Sequence, residues 1–384
     1  MQSVSADPTK TCRQVYDDVV VNAGPDRENI PSYSSVKTSL ERRRAREIPP
    51  VPHSINDVLI EGRWKRTKDG QRFLSLIDNN WGIAIFTTRQ ALRCLGQCSD
   101  IYLDGTFKSV PRPYKQFLTI HGFYQDRVIP FVFALMTTRQ VGHYRQIFSH
   151  IKRKYARITN NPFAPLRIIS DFEVAMTSAA ETEFQHASIC GCLFHLCQAI
   201  WRKVQKLGLT RPYDRNPNLR KCIRKVMAIA YLPLLLVRVN FDQLCRENLT
   251  RRLCRRYPAL QDLLNYFRRN YMNGQYAVPT WNVYERNMDN RTNNHIESFN
   301  RRWNTHVGRR HPNLWFFISK LRHEEVKVKQ AIASSDRGDA PPLRKRKYRD
   351  LERRIKRLKR SYRSGNRNLT EYWNAMVYVV ANFH

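Results

Sequence analysis

Three carboxylates stand out in a chain with few acids. Asp104 lies inside the apolar, strand-like run Ile101–Phe107 (IYLDGTF). Asp171 closes a second such run and is followed by Phe172 and Glu173, and Glu297 sits in TNNHIESFN, where a helix begins. Aspartate is disfavoured within a strand, and an ionised carboxylate beside a core is costly unless a cation or metal compensates it. Three carboxylates brought together repel one another, and oxygen-seeking divalent cations relieve that repulsion. Two such ions about 3.5–4 Å apart are the usual arrangement for in-line phosphodiester displacement. Each residue also has an ordinary structural reading: Asp104 as a cap on the turn before Gly105, Asp171 as the N-cap of a helix starting near Glu173, and Glu297 as a first-turn acid favoured by the helix dipole.

A second cluster is Cys190, Cys192, His195 and Cys197, spaced C-x-C-x2-H-x-C. Thiolate and imidazole are good zinc ligands. The cluster spans a strand-to-helix junction, however, and Cys190 and Cys192 alternate along the strand and so face one side, as core-packing thiols do. Core packing is the first reading and zinc the second.

The elements that must position these groups follow from the apolar pattern. Ile101–Phe107, Gln116–Tyr124 and Val128–Thr137 read as strands, the last two joined by the turn Gln125-Asp126-Arg127, and together they suggest an antiparallel meander. A helix over about 143–157, a buried strand over 166–170, a helix over 173–184, a strand over 187–192 and a helix over 194–206 follow. The order βββαβαβα predicts an α/β domain, a mixed sheet with helices on its faces. Short runs at 73–77, 82–86 and 88–95 read as an ordered lead-in. From 214 to 275 the signal is helical throughout, with helices at 219–231, 234–255 and 258–271, and helices resume near 293–304, 312–333, 345–362 and 368–382. Residues 1–55, rich in Ser, Pro, Asn and Asp, read as mostly disordered.

The 384 residues carry 67 Lys+Arg against 32 Asp+Glu, a net charge of +35, which points to a polyanion and most simply to nucleic acid. The excess is uneven: residues 201–384 hold 41 basic and 14 acidic side chains, and 344–367 alone hold 13 and 2. In that segment Tyr348, Leu351, Ile355, Leu358 and Tyr362 recur at helical spacing, so one stripe faces protein while the rest of the surface is positive. Arg344–Lys347 also reads as a nuclear-import signal. No apolar run is long enough to span a membrane, and the first residues lack the apolar stretch of a signal peptide. Nine cysteines, an odd number, point to reduced thiols.

Six segments resemble, in order and spacing, the Mutator-like element (MULE) transposase domain. They are DGTFK (104–108), YKQFLTIHGFY (114–124), VIPFVFALM (128–136), ISDFEVA (169–175), CGCLFHLCQAIWRKVQKLGL (190–209) and RTNNHIESFNRRW (291–303), and the likeness runs from about 73 to 330. The resemblance implies a ribonuclease-H-like mixed sheet, interrupted by an all-α insertion, with a DDE triad. By motif, that triad is Asp104, Asp171 and Glu297, holding two Mg²⁺ or Mn²⁺ ions with Asp104 bridging and Glu297 orienting the nucleophile's side. It also matches Cys192 and His195 to a recurring Cys-x2-His. The implied division is an N-terminal segment (1–55), the lead-in (56–98), the first part of the catalytic domain (99–210), the insertion (211–290), the helices carrying the Glu (291–335) and a basic helical segment (336–384).

The implied activity is metal-dependent transposition: hydrolysis of a phosphodiester at an element end, then attack of the freed 3′-hydroxyl on a target strand. Double-stranded DNA is the expected partner, with action as a homo-oligomer in the nucleus. Before residue 94 only Cys12 and His53 are soft ligands, too few for the N-terminal zinc finger of many relatives. End recognition is therefore expected from the insertion, the basic C-terminal helices or a separate protein. Candidate DNA contacts are Lys108, Arg112, Arg301, Arg302, Arg344, Lys345, Arg346, Lys347, Arg353, Arg354, Lys356 and Arg357. The alternative is a domesticated nuclear DNA-binding protein that keeps the fold without transposing.

Overall fold

Seven strands form one mixed sheet in the order β1-β2-β5-β4-β3-β6-β7. They are β1 (Leu74–Asp78), β2 (Ile83–Phe86), β3 (Asp100–Thr106), β4 (Gln116–Tyr124), β5 (Arg127–Met136), β6 (Arg167–Ser170) and β7 (Ser188–Gly191). The structure is a computed structural model and describes residues 7–274, 276–286, 294–341, 343 and 345–382. β1, β2, β5 and β4 pair antiparallel in turn, and β3, β6 and β7 pair in parallel. The expected α/β fold is therefore present, with helices flanking a mixed sheet. The lead-in contributes two strands to the same sheet: β2 hydrogen-bonds to β5, and β1 to β2 at the sheet's edge.

Local sequence explains the strand joins. Gln125 and Asp126 both have positive φ (42° and 66°), which closes β4 onto β5 in a two-residue turn whose twist suits a hairpin. Further along, Ile120 faces Val132 while His121 faces Pro130, so the ladder is interrupted where proline has no N–H to give.

The chain divides into two compact units: residues 1–99, 103–164 and 298–339, and residues 100–102, 165–297 and 340–384. The first unit contains α1 (Cys12–Asn22), α2 (Tyr33–Glu47), α3 (Arg89–Gly96) and α4 (Val141–Thr159). In it, Phe117 of β4 stacks on Phe133 of β5, and Trp303 and Phe317 pack against Phe117 with ring centroids 5.2 and 5.1 Å away. The segment expected to be mostly disordered instead carries α1 and α2 over its described residues. Val15 and Leu40 are buried, Tyr16 meets Tyr33 edge-on, and the Trp315 indole donates to the Pro50 carbonyl at 2.9 Å. A few apolar anchors in a polar stretch are too sparse to register as a periodic pattern.

The second unit holds α5 (Val174–Glu183), α6 (Leu193–Lys206), α7 (Thr210–Arg215), α8 (Pro217–Ala228), α9 (Val237–Arg246), α10 (Asn248–Arg256), α11 (Pro258–Phe267) and α12 (Val278–Trp281). α13 (Asn294–Val307) continues into the first unit at Ser298, α14 (Leu314–Asp336) belongs to the first, and α15 (Arg346–Arg363) and α16 (Leu369–Met376) belong to the second. The helix expected over 234–255 is broken at Glu247, whose extended backbone (ψ 136°) separates α9 from α10 while its carboxylate pairs with Lys225. One apolar cluster joins α6, the insertion helices, α15 and α16: Ile355, Leu358, Tyr372 and Trp373 are buried among Leu219, Ile223, Phe267 and Trp281. The basic C-terminal segment is thus built into the insertion's core rather than being a separate tail.

Candidate active site

Asp104 occupies the buried part of β3, 6% exposed. Two neighbours fix it. The Asn300 side-chain amide on α13 donates to Asp104 Oδ2, and Thr119 Oγ1 on β4 donates to the Asp104 carbonyl at 3.4 Å. Gly105 follows because β4 approaches closely: a Cβ there would lie 2.2 Å from Gln116 Nε2. Gln116 is fully buried, and its Oε1 accepts a 2.9 Å bond from the Tyr144 hydroxyl on α4. α13 is seated by Phe299 and Trp303, stacked 6.3 Å apart, and by Ser109, which donates to Asn304 Oδ1 at 2.5 Å.

Asp171, half-buried, follows β6 directly. Its Oδ1 accepts from the Glu173 backbone N–H at 3.2 Å, while the residue at the N-cap of α5 is Glu173 itself. Asp171 therefore shapes the turn before the helix rather than capping it. The turn is locked by Phe172, whose carbonyl accepts from the Tyr276 hydroxyl at 2.5 Å and whose ring meets Tyr276 and Tyr271 edge-on. Gly191 of β7 leaves room for that ring, since a Cβ there would lie 2.5 Å from it. The insertion thereby braces the loop that carries Asp171. Burial, then the nearby Asp171, raises the Tyr276 phenol's pKa.

Glu297 is half-buried in the first turn of α13, three residues before Asn300. By unit, Asp104 belongs to the first and Asp171 and Glu297 to the second. Among the described residues, no three His, Cys, Asp or Glu side chains form a ready-made metal-holding group. Cys190, Cys192 and Cys197 are buried and in no disulfide, and burial, then Cys192, pushes the Cys197 pKa well up, so it packs as a neutral side chain. Carboxylate oxygens suit Mg²⁺ or Mn²⁺, and Mg²⁺ is commonly held by one or two carboxylates plus substrate phosphates rather than by an all-protein cage.

The expected DNA contacts divide. Lys108, Arg112 and Arg301 are exposed. Arg302 is committed elsewhere: it grips the buried Glu324 with both guanidinium nitrogens and lies 5.3 Å over Phe299. On α15, Ile355 and Leu358 face the core as the stripe requires, whereas Tyr348, its first member, is exposed. Lys345, Arg346, Lys347, Arg353, Arg354, Lys356 and Arg357 face solvent, with Arg346 and Arg353 also near Asp350. Arg344 and residues 291–293 of the sixth segment lie outside the described residues. Sequence reasoning missed Asn300, although its i+3 spacing from Glu297 on a helix was a usable signal. It also missed Gln116, Phe172 and Tyr276, whose roles arise from contacts distant in sequence.

The seven-stranded mixed sheet flanked by helices is consistent with a ribonuclease-H-like α/β fold. Residues 101–199 match the family model of the MULE transposase domain, consistent with a MULE transposase assignment. No curated protein matches the chain. The family match includes Asp104, Asp171, Cys192 and His195, while Glu297 lies beyond it.

Proposed function

We propose that the chain is a DDE-type DNA transposase of the Mutator-like class, cutting phosphodiesters at element ends and joining the freed 3′-hydroxyl to a target strand. One observation carries the reading. The parallel register of β3 with β6 pairs Asp100 with Arg167 and Tyr102 with Ile169, and the same offset separates Asp104 from Asp171. Tyr102 and Ile169, the last pair of that register, each precede one of the two aspartates by two residues. Asn300, which bonds to Asp104, rides the same helix as Glu297. Together these support a three-carboxylate centre.

Asp104, Asp171 and Glu297 would hold Mg²⁺ or Mn²⁺, which when bound lowers the pKa of a water or hydroxyl nucleophile and offsets charge developing at phosphorus. The chain's own part is positional. Asn300 orients Asp104 without adding charge, Phe172 and Tyr276 hold the Asp171 turn, and the exposed cations of α15 offer a contact for duplex DNA, acting as a homo-oligomer in the nucleus. Purified protein, duplex DNA and Mg²⁺ or Mn²⁺ test this. Asp104→Asn, Asp171→Asn and Glu297→Gln should each abolish nicking that the wild type performs. Equal nicking by all four proteins, or none by the wild type with binding intact, would leave a DNA-binding protein that retains the fold.

A further inference from the structure

A cavity of about 820 Å³ opens in the first unit beside β1, at the edge of the sheet. Its volume suits a drug-sized or nucleotide-sized ligand. Five cations line it: Arg72 beside β1, Arg89 at the start of α3, and Arg153, Lys154 and Arg157 on α4. Among the described residues that line it there is no carboxylate.

The cavity has a built floor. The β1–β2 register slips between Leu74 and Leu76, so Ser75 is the extra, bulged residue. Bulges on edge strands re-aim a side chain, and here Ser75 Oγ meets both Lys154 Nζ and His150 Nε2 at 2.8 Å. His150 and Lys154 are four residues apart on α4, as are Arg153 and Arg157, so one flank of the helix presents cations to the edge. That grouping is unfavourable while empty of anions. Burial, then Lys154, Arg153 and Arg157, lowers the His150 pKa to about 4, and burial, then Arg72, lowers that of Lys154. Fixed like charges around a partly enclosed space, with no carboxylate lining, are stabilised by an anion that bridges them.

We propose that this cavity binds phosphate groups of a nucleic-acid backbone, forming a phosphate clamp separate from the carboxylates. The inference does not depend on cleavage, so its test is made in EDTA, where cutting cannot occur. The probes are labelled duplex DNA, followed by fluorescence anisotropy across a salt series, and inorganic tripolyphosphate, followed by calorimetry. The test variants are Arg153→Ala/Arg157→Ala and Ser75→Ala, and Arg42→Ala/Arg43→Ala on α2 is the control.

Removing two phosphate contacts should lower the slope of log affinity against log salt by about 1.8. The expected result is that fall in the α4 double variant, a smaller loss of affinity in Ser75→Ala, and no change in the control. Saturable tripolyphosphate binding lost in the same variants, without a change in the DNA slope, would support phosphate binding but assign it to a free polyphosphate. An unchanged slope with no tripolyphosphate binding, or an equal fall in the α2 control, would overturn the site.

Discussion

Gly105→Ala tests whether the approach of β4 fixes Asp104. The added Cβ would lie 2.2 Å from Gln116 Nε2 and 3.2 Å from Gln116 Cδ, so the amide must move by more than 1 Å to restore ordinary contact. A surface glutamine would simply swing away. Gln116 is wholly buried, and moving it breaks the 2.9 Å bond from the Tyr144 hydroxyl. Overpacking costs about 1–3 kcal/mol, and a lost neutral hydrogen bond about 0.5–1.5 kcal/mol. The sum, roughly 2–4 kcal/mol, is read from urea unfolding of the full chain. If β3 rather than Gln116 gives way, Asp104 shifts and cleavage falls together with stability. Gln116→Ala/Gly105→Ala separates the two, because truncating Gln116 removes the clash. The double variant should be more stable than the sum of the single losses predicts, by about 1–2 kcal/mol. Gly105→Ala within 0.5 kcal/mol of wild type, or strict additivity, would refute the close-approach account.

Asn300→Ala should raise the Mg²⁺ concentration for half-maximal cleavage by about 10–100-fold, as loss of an outer-shell partner does; an unchanged Mg²⁺ dependence would remove Asn300 from the site. Asn300→Asp places a like charge against Asp104, raises the pKa of the pair, and should move the onset of activity to higher pH. Arg302→Ala leaves the buried Glu324 with Lys327, 3.5 Å away, as its remaining cation, and should cost about 2–3 kcal/mol, less than a fully buried pair because Arg302 is half exposed. Arg302→Met/Glu324→Met should recover most of that loss in the same urea measurement. His150, whose pKa is lowered from 6.5 to about 4 by burial and then by Lys154, Arg153 and Arg157, binds its proton more tightly when unfolded. Stability should therefore fall as pH drops from about 6.5 to about 4, and His150→Gln should flatten that fall in a pH series of unfolding midpoints.

The strands and helices around Asp104 and Asp171 were legible because each alternates or repeats its apolar residues without interruption, as in QFLTIHGFY and LFHLCQAIW. β1 and β2 were visible as short runs, but their place in the sheet was not, since pairing with β5 is a long-range choice that no local pattern encodes. The break at Glu247 escaped notice because LCRENLTRRL keeps its helical spacing across it. Of the candidate site, the acids were legible by their rarity. Their supports were not, because Asn300, Gln116 and Tyr276 are ordinary polar residues until folding sets them against Asp104, Gly105 and Phe172. The basic cavity was hidden for a similar reason: Arg72, Arg89 and Arg153 are far apart in sequence, and in so basic a chain no one of them stands out.

A net charge of +35 makes the disposition of acids the informative question. Several have structural duties. Asp100 takes both Arg167 nitrogens, at 2.6 and 3.0 Å, Glu324 takes Arg302, and Glu247 takes Lys225. The Asp100–Arg167 pair bridges the two residues that open the parallel register of β3 with β6. It therefore bears on chemistry as well as stability, because a slip of one residue would turn Asp104 or Asp171 to the opposite face of the sheet. Arg167→Leu should then harm cleavage more than its effect on stability accounts for, whereas Lys225→Met, which removes a paired cation from the insertion, should affect stability alone. Both are read by comparing initial nicking rates at matched folded fractions. Equal losses in the two variants would mean that Asp100–Arg167 is only a stabilising pair, and the link between sheet register and the proposed carboxylate centre would fail.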